Sequence, residues 1–210
     1  MLIDTIVLGG YQTNSYVLRR DEAARDCLVI DTGLDAQPLL EFLRKHRLTP
    51  EAVVLTHGHI DHIAGLDLMH AAFPKVQVSI HHLDAKALAN GALNLSDLAG
   101  MSFTTSEPEH LLDDGDIVDY AGLALTVIHT PGHTPGGICL HSPGDAILFT
   151  GDTLFADSVG RTDFPLADMN QLLKSIKDRL FVLPDKTICY PGHGPCTTIG
   201  REKRYNQFLH

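Results

Sequence analysis

The sequence predicts an α/β domain in which strands outnumber helices, an arrangement that fits two sheets with helices outside. Three observations lead there. Short apolar runs recur along the whole chain, each stopped by Gly, Pro or Asp, as buried strands are. Few segments carry apolar residues at helical spacing, and they fall between those runs. At 210 residues, 44% hydrophobic and 20% charged, the chain can build one sizeable core but not two comfortable catalytic domains. One domain over 1–210 is therefore expected.

Taken in order, LIDTIVL (2–8) and SYVLRR (15–20) read as strands joined by GGYQTN. CLVIDTG (27–33) is an apolar strand ending at a polar turn. AQPLLEFLRKH (36–46) places Leu39, Leu40 and Leu43 on one helical face. AVVL (52–55) is a buried strand, IAGLDLMHAAF (63–73) a helix, and VQVSIH (76–81) a strand after Pro74. Residues 82–110 are less regular, and NGALNLSDLAGMSF (90–103) reads as a surface loop with a helical turn. DIVDY, LALTVIH, GICLHS and AILFT are strands bounded by turn residues. DMNQLLKSIKDRL (168–180) is an amphipathic helix, TICY (187–190) a last strand and REKRYNQFL (201–209) a last helix.

The formal net charge is −10 and no Lys/Arg run occurs, which argues against a nucleic-acid partner. MLIDTIVLGG lacks a basic leader, and no apolar run could span a bilayer. A cytoplasmic protein is expected. Cys27, Cys139, Cys189 and Cys196 form no CxxC pair and read as buried free thiols. Nothing in the sequence sets an oligomeric state.

The chemistry begins at THGHIDHIAG (56–65), directly after AVVL. In extended backbone, residues i and i+2 point the same way, so His57 and His59 can converge on one cation. Asp61 and His62 follow as the next helix begins. Three further turns place ligand-type residues after apolar strands: His133 in PGHTPGG, Asp152 in TGD and His193 in PGHGP. Five histidines and two aspartates are too many for one zinc ion, which takes about four ligands. They suit two ions sharing a carboxylate, with room for a bridging water.

The order H-x-H-x-D-H, then H, D and H, resembles the metallo-β-lactamase superfamily from VIDTG to PGHGP. The resemblance implies a four-layer αβ/βα sandwich of two mixed sheets, with the metals at one edge. It also implies that His57, His59 and His133 hold one metal, that Asp61, His62 and His193 hold the other, and that Asp152 bridges. Asp31, in VIDTG, is left with two readings, a hydrogen bond to the metal-site loop or a turn cap. His129 reads as packed or as supporting a ligand. His46, His70, His81, His82, His110, His141 and His210 read as surface or structural.

Two such ions would make hydroxide available near neutral pH and polarise a carbonyl. Asp61 is the expected catalytic group, orienting that nucleophile or accepting a proton. A thioester suits the site because a thiol leaves readily as an anion. Within the superfamily, FTGDTLFADSVGRTDF (149–164) looks most like glyoxalase II and its shorter relatives. There a Gly-Lys pair meets a carboxylate of the glutathione thioester. Gly160-Arg161 aligns with that pair, and Arg161 either binds substrate or caps its own loop through Asp163. Pro195 stands where glyoxalase II has a tyrosine, and the C-terminal helical domain is missing. The glutathione contacts therefore carry over less well than the metal chemistry, and the loop at 90–103 is expected to cover the site.

The expected activity is hydrolysis of a small acyl thioester such as S-lactoylglutathione, with two zinc ions, or iron or manganese, as cofactors. The partner is a small molecule, without nucleic acid or membrane. A superfamily persulfide dioxygenase, with one iron on His57, His133 and Asp152, is the alternative. A β-lactamase, a nuclease and a non-catalytic metal-binding module are weaker ones.

Overall fold

The computed structural model describes residues 1–210. The first sheet is built from β1 (Leu2–Leu8), β2 (Thr13–Arg19), β3 (Asp26–Ile30), β4 (Thr49–Val54), β5 (Gln77–His81) and β6 (His110–Leu112), in that order. β1, β2 and β3 pair antiparallel, whereas β3 through β6 pair parallel. The second sheet takes β7 (Ile117–Tyr120), β8 (Leu123–His129), β9 (Ile138–Ser142) and β10 (Ile147–Gly151) as an antiparallel run. A small ribbon of β11 (Leu154–Phe155) and β12 (Ser158–Val159) follows. β13 (Ile188–Pro191) then pairs parallel with β10, and β14 (Thr197–Thr198) closes the edge.

Successive side chains of a strand point to opposite faces, and here both faces are covered. Leu28, Ile30, Ala52 and Val54 face Leu125, Val127, Leu140 and Phe149 across the gap between the sheets. Val29 and Val53, one residue out of phase, face the other way. There they meet Leu39, Leu40 and Leu43 of α1 (Gln37–His46), and Leu66 and Met69 of a later helix, Leu66–Ala72. On the second sheet, Cys139 and Leu148 pack against Leu172, Ile176 and Ile199 of the C-terminal helices. The layers run helix, sheet, sheet, helix, as the resemblance implied.

The helices depart from the expected ranges. The 63–73 segment is two pieces, α2 (Ile60–Ile63) and α3 (Leu66–Ala72), broken at Ala64–Gly65. This break lets α2 start three residues early, with Asp61 and His62 on its first turn. The 168–180 helix is α4 (Met169–Ser175), continued by a wider π turn over Ile176–Leu180. α5 (Ile199–Tyr205) begins two residues early, where the Thr198 hydroxyl accepts the Arg201 N–H. β6 lies at the end of the stretch read as irregular. Cys27, Cys139 and Cys189 are buried, but Cys196 is exposed, which corrects the expectation of four buried thiols. It follows Pro195 in the loop between β13 and β14, where no sheet covers it. No helix is long and apolar enough to cross a membrane.

Phe149 carries the packing between the sheets: it is fully buried and lies 5.2 Å from the Tyr16 ring and 5.4 Å from the Tyr190 ring. Phe149→Ala should cost about 3–5 kcal/mol in denaturant unfolding. Ile117→Ala, at an exposed position, should stay within about 0.5 kcal/mol. Equal losses would show that the inter-sheet layer does not dominate stability.

Candidate metal centre

β8 and β10 both run antiparallel to β9, and β13 runs parallel to β10. Their C-terminal ends therefore lie at one edge of the second sheet. His133, Asp152 and His193 stand in the turns just beyond those ends. His57 and His59 stand just beyond β4 of the first sheet, and α2 presents Asp61 and His62. The two sheets are joined at this edge by backbone bonds. The Ile138 N–H donates to the Thr56 carbonyl at 2.9 Å, and the Asn14 N–H to that of Gly192 at 2.7 Å.

All seven residues singled out in the sequence meet there. Ligand atoms of His57, His59 and His133 lie within 4.8 Å of one another, and so do those of Asp61, His62 and His193. Asp152 stands between these groups, with Oδ2 3.6 Å from His133 Nε2 and 3.5 Å from His193 Nε2. Its Oδ1 is 3.4 Å from His62 Nε2. His57 Nε2 faces His59 Nδ1 at 3.1 Å, and His62 Nε2 faces His193 Nε2 at 3.3 Å.

The outward nitrogens explain this aim. The carbonyl of Arg161 accepts from His133 Nδ1 at 2.7 Å, and that of Tyr11 from His193 Nδ1 at 3.0 Å. Asp31 Oδ2 takes His62 Nδ1 at 2.8 Å and the Thr56 hydroxyl at 2.8 Å. Having donated its proton, the Thr56 oxygen accepts from His57 Nδ1 at 3.2 Å. These four imidazoles are thus held with Nδ1 donating outward and Nε2 turned inward, the orientation of metal-binding histidines. His59 is the exception, with Nδ1 turned inward and its ring against Phe164. His133 Nε2 and Asp152 Oδ1 are buried without a hydrogen-bond partner. Buried polar atoms need partners, and a divalent cation among these donors supplies them.

Charge divides the cluster. Burial pushes His57 well below the usual histidine range and His59 down to about 3, so both are neutral at pH 7. Burial would lower His62 as well, but the carboxylates of Asp61, Asp31 and Asp152 outweigh it and raise His62 well above its ordinary value. His193 likewise rises to about 10, because hydrogen bonds to Asp152 and Asp61 overcome its burial. Asp61 and Asp152 are held below the ordinary carboxylate range, since the facing histidines overcome their burial.

The cluster forms the floor of a cavity of about 530 Å3. Leu95, Leu98 and Ala99, from the 90–103 loop, form one wall, and Tyr11, Phe155 and Phe164 another. The Ile60 N–H donates to the Asn94 carbonyl at 2.8 Å, which fixes that loop against α2. Arg161 reaches the mouth, but its guanidinium forks onto Asp163 at 3.0 and 2.8 Å and lies over the Phe164 ring. The loop-capping reading of Arg161 is thus present. Asp31 supports the site through its bonds to His62 and Thr56. His129 stacks on His81 and lies outside the cluster. Sequence reading missed Tyr11, Thr56 and Thr13, whose hydroxyl meets Asp61 Oδ2 at 3.3 Å. Thr56 alone left a signal, by standing directly before His57.

Asp31 accepts three bonds while 1% exposed, one from the Thr56 N–H at 2.8 Å. An asparagine tolerates its positive φ of 56° but offers amide protons to donors that need an acceptor. Asp31→Asn should therefore cost about 1.5–3 kcal/mol in denaturant unfolding. It should also lower the pH at which His62 titrates in nitrogen NMR, because Asp31 is one of the carboxylates that raise it. Unchanged stability and titration together would remove Asp31 from this role.

Comparison with known proteins agrees with the fold. A model of the Metallo-beta-lactamase superfamily matches residues 8–193. The chain is 33% identical to a probable metallo-hydrolase of Bacillus subtilis, covering 96% of this chain and 94% of that one. It is 33% identical to a hydroxyacylglutathione hydrolase of Haemophilus influenzae, covering 100% and 98%. Among solved structures, it is similar to the B3 metallo-β-lactamase BLEG-1 (40% identity, TM-score 0.93, 99% of each chain). It is also similar to TTHA1623 in a di-iron-bound form (35%, 0.84, 98% and 100%). A third is ETHE1 from Myxococcus xanthus (30%, 0.80, 99% and 84%). By its four layers, its His/Asp edge and the family match over nearly its whole length, this chain belongs to the metallo-β-lactamase superfamily.

Proposed function

We propose that the protein is a dinuclear metallohydrolase of small acyl thioesters, glyoxalase II-like, with S-lactoylglutathione as its first test substrate. One observation carries this reading: two adjoining sets of three ligand atoms flank Asp152 on the floor of an open cavity. His57, His59 and His133 would hold one ion, Asp61, His62 and His193 the second, and Asp152 both. Zinc suits this donor set, as do iron and manganese. Such ions lower the pKa of a bound water and polarise an acyl carbonyl. Asp61, kept ionised, would orient the attacking water or accept a proton. Leu98, Phe155 and Phe164 offer apolar surface for the acyl group. A thiolate leaves without a proton, so the site needs no general acid to release it. The Haemophilus relative supports the thioester substrate. ETHE1 keeps the dioxygenase reading in view, and BLEG-1 that of β-lactam hydrolysis.

Elemental analysis should find two divalent ions per chain. Asp152→Ala should lose at least one of them and most activity, whereas Asp61→Asn should keep more metal but turn over slowly. Two ions and a near-normal rate in Asp152→Ala would end the shared-carboxylate assignment. In assays of S-lactoylglutathione, a chromogenic cephalosporin, and oxygen uptake with glutathione persulfide, the thioester should turn over fastest. Oxygen uptake without thioester turnover would make the protein a dioxygenase.

The charge pattern predicts how the ions load. A histidine must lose its proton to bind metal. With its pKa near 10, His193 is protonated at pH 7, so the half it shares with His62 and Asp61 should bind more tightly as pH rises. His57 and His59 are already neutral and should bind without releasing protons. Calorimetry in two buffers of different ionisation enthalpy should find more protons released by the ion of the His62–His193 half than by the other. Release from neither would refute the pattern.

Arg161 is exposed and already paired with Asp163, so its contact with a substrate carboxylate is weak. Arg161→Ala should raise KM for S-lactoylglutathione roughly two- to fivefold and leave kcat nearly unchanged. An equal loss on an uncharged thioester would leave Arg161 with only a loop role.

A further inference from the structure

We infer that Asp84 is the positioning residue of the His57–His59–His133 half, and that it sets how tightly this half binds metal. The inference rests on the ligand assignment proposed above.

Asp84 lies just past β5 and is 4% exposed. Its carboxylate takes no part in the ligand cluster but holds both loops that do. Oδ2 accepts the Gly58 N–H at 3.0 Å and the Thr134 hydroxyl at 2.7 Å, and Oδ1 accepts the Gly136 N–H at 2.6 Å. Gly58 stands between His57 and His59, and Thr134 directly follows His133. One loop leaves the first sheet at β4, and the other leaves the second sheet at β8. A single carboxylate therefore fixes the distance between ligands from opposite sheets.

The glycines at these contacts have a reason. A Cβ on Gly136 would stand 2.6 Å from Asp84 Oδ1, and one on Gly58 would stand 2.5 Å from the Ala87 Cβ. Any side chain there would push a loop away from the carboxylate. Three donors and no facing acceptor call for a group that only accepts, which an ionised aspartate is and an asparagine is not. Burial pushes its carboxyl upward, and the three hydrogen bonds, together with the nearby His133 imidazole, offset part of that cost. A nearby cation offsets that cost further. The three ligands of this half are imidazoles, which supply no negative charge, whereas the other half contains the carboxylate of Asp61. Asp84 thus adds negative charge behind the half that lacks its own.

The test strips the full-length protein of metal and titrates zinc back against a competing chelator, fitting two sites, with melting of the metal-free form as control. Asp84→Asn should weaken one site about ten- to a hundredfold and leave the other within about twofold, in the range of ligand-supporting residues elsewhere. Thr134→Val, which removes one bond and keeps the carboxylate, should weaken the same site severalfold. It carries the test if Asp84→Asn does not fold. With cobalt in place of zinc, the weakened site should be the one whose absorption band is unchanged in Asp61→Asn. Two wild-type affinities in both variants would overturn the inference. So would parallel weakening of both sites with a lowered melting temperature, which marks a residue supporting only the fold. A wild-type protein that binds one ion would instead refute the two-metal reading. Asp84 would then stand or fall on whether Asp84→Asn weakens that single ion.

Discussion

The centre depends on one constraint: a buried imidazole can offer an inward lone pair only if its other nitrogen has a fixed acceptor. Four histidines here meet that condition, and their acceptors come from every part of the chain. Asp31 follows β3, Thr56 stands just beyond β4, Tyr11 joins β1 to β2, and Arg161 follows β12. The acceptors are backbone carbonyls, a buried carboxylate and a hydroxyl that has already donated, so each tautomer is set by rigid groups. The two-sheet sandwich is what brings these acceptors to one edge. Its layers of Leu, Val, Ile and Phe set the distance between sheets, and that distance sets the spacing of the histidines.

Burial and charge then divide the seven residues into unlike halves. His57 and His59 lie among other histidines and stay neutral, while His62 and His193 lie among carboxylates and hold protons. The two halves therefore differ before any ion arrives. One gathers three imidazoles, and the other includes the carboxylate of Asp61. Asp152 touches both, which makes it the group whose ionisation couples them.

The substrate side is built differently from the floor. Its walls come from the 90–103 loop, from Tyr11 of the GGYQTN loop and from Phe155 and Phe164, and the first two loops are held by backbone bonds to the ligand-bearing segments. Its cation, Arg161, is exposed and shared with Asp163. The floor is thus rigid and densely bonded, while the mouth is apolar and only weakly charged. Such a division suits a reaction whose chemistry is fixed by the floor and whose substrate preference is set by the rim.

By itself, the sequence determined the layered α/β architecture and all seven residues of the cluster. Strands buried on both faces need continuous apolar runs, and ligands at strand ends need His or Asp in the turns that follow; both requirements are local. Helix breaks were less legible, because the interruption at Ala64–Gly65 answers to packing on the first sheet rather than to the periodicity of 63–73. β6 and β14 are too short to carry a pattern and exist through their pairing partners. Only the tertiary structure decided what Tyr11, Thr13 and Asp84 do. Tyr11 meets His193 across 182 residues, and Asp84 meets Gly136 across 52. A residue type alone does not say which distant polar group it will satisfy; the packing of the two sheets does.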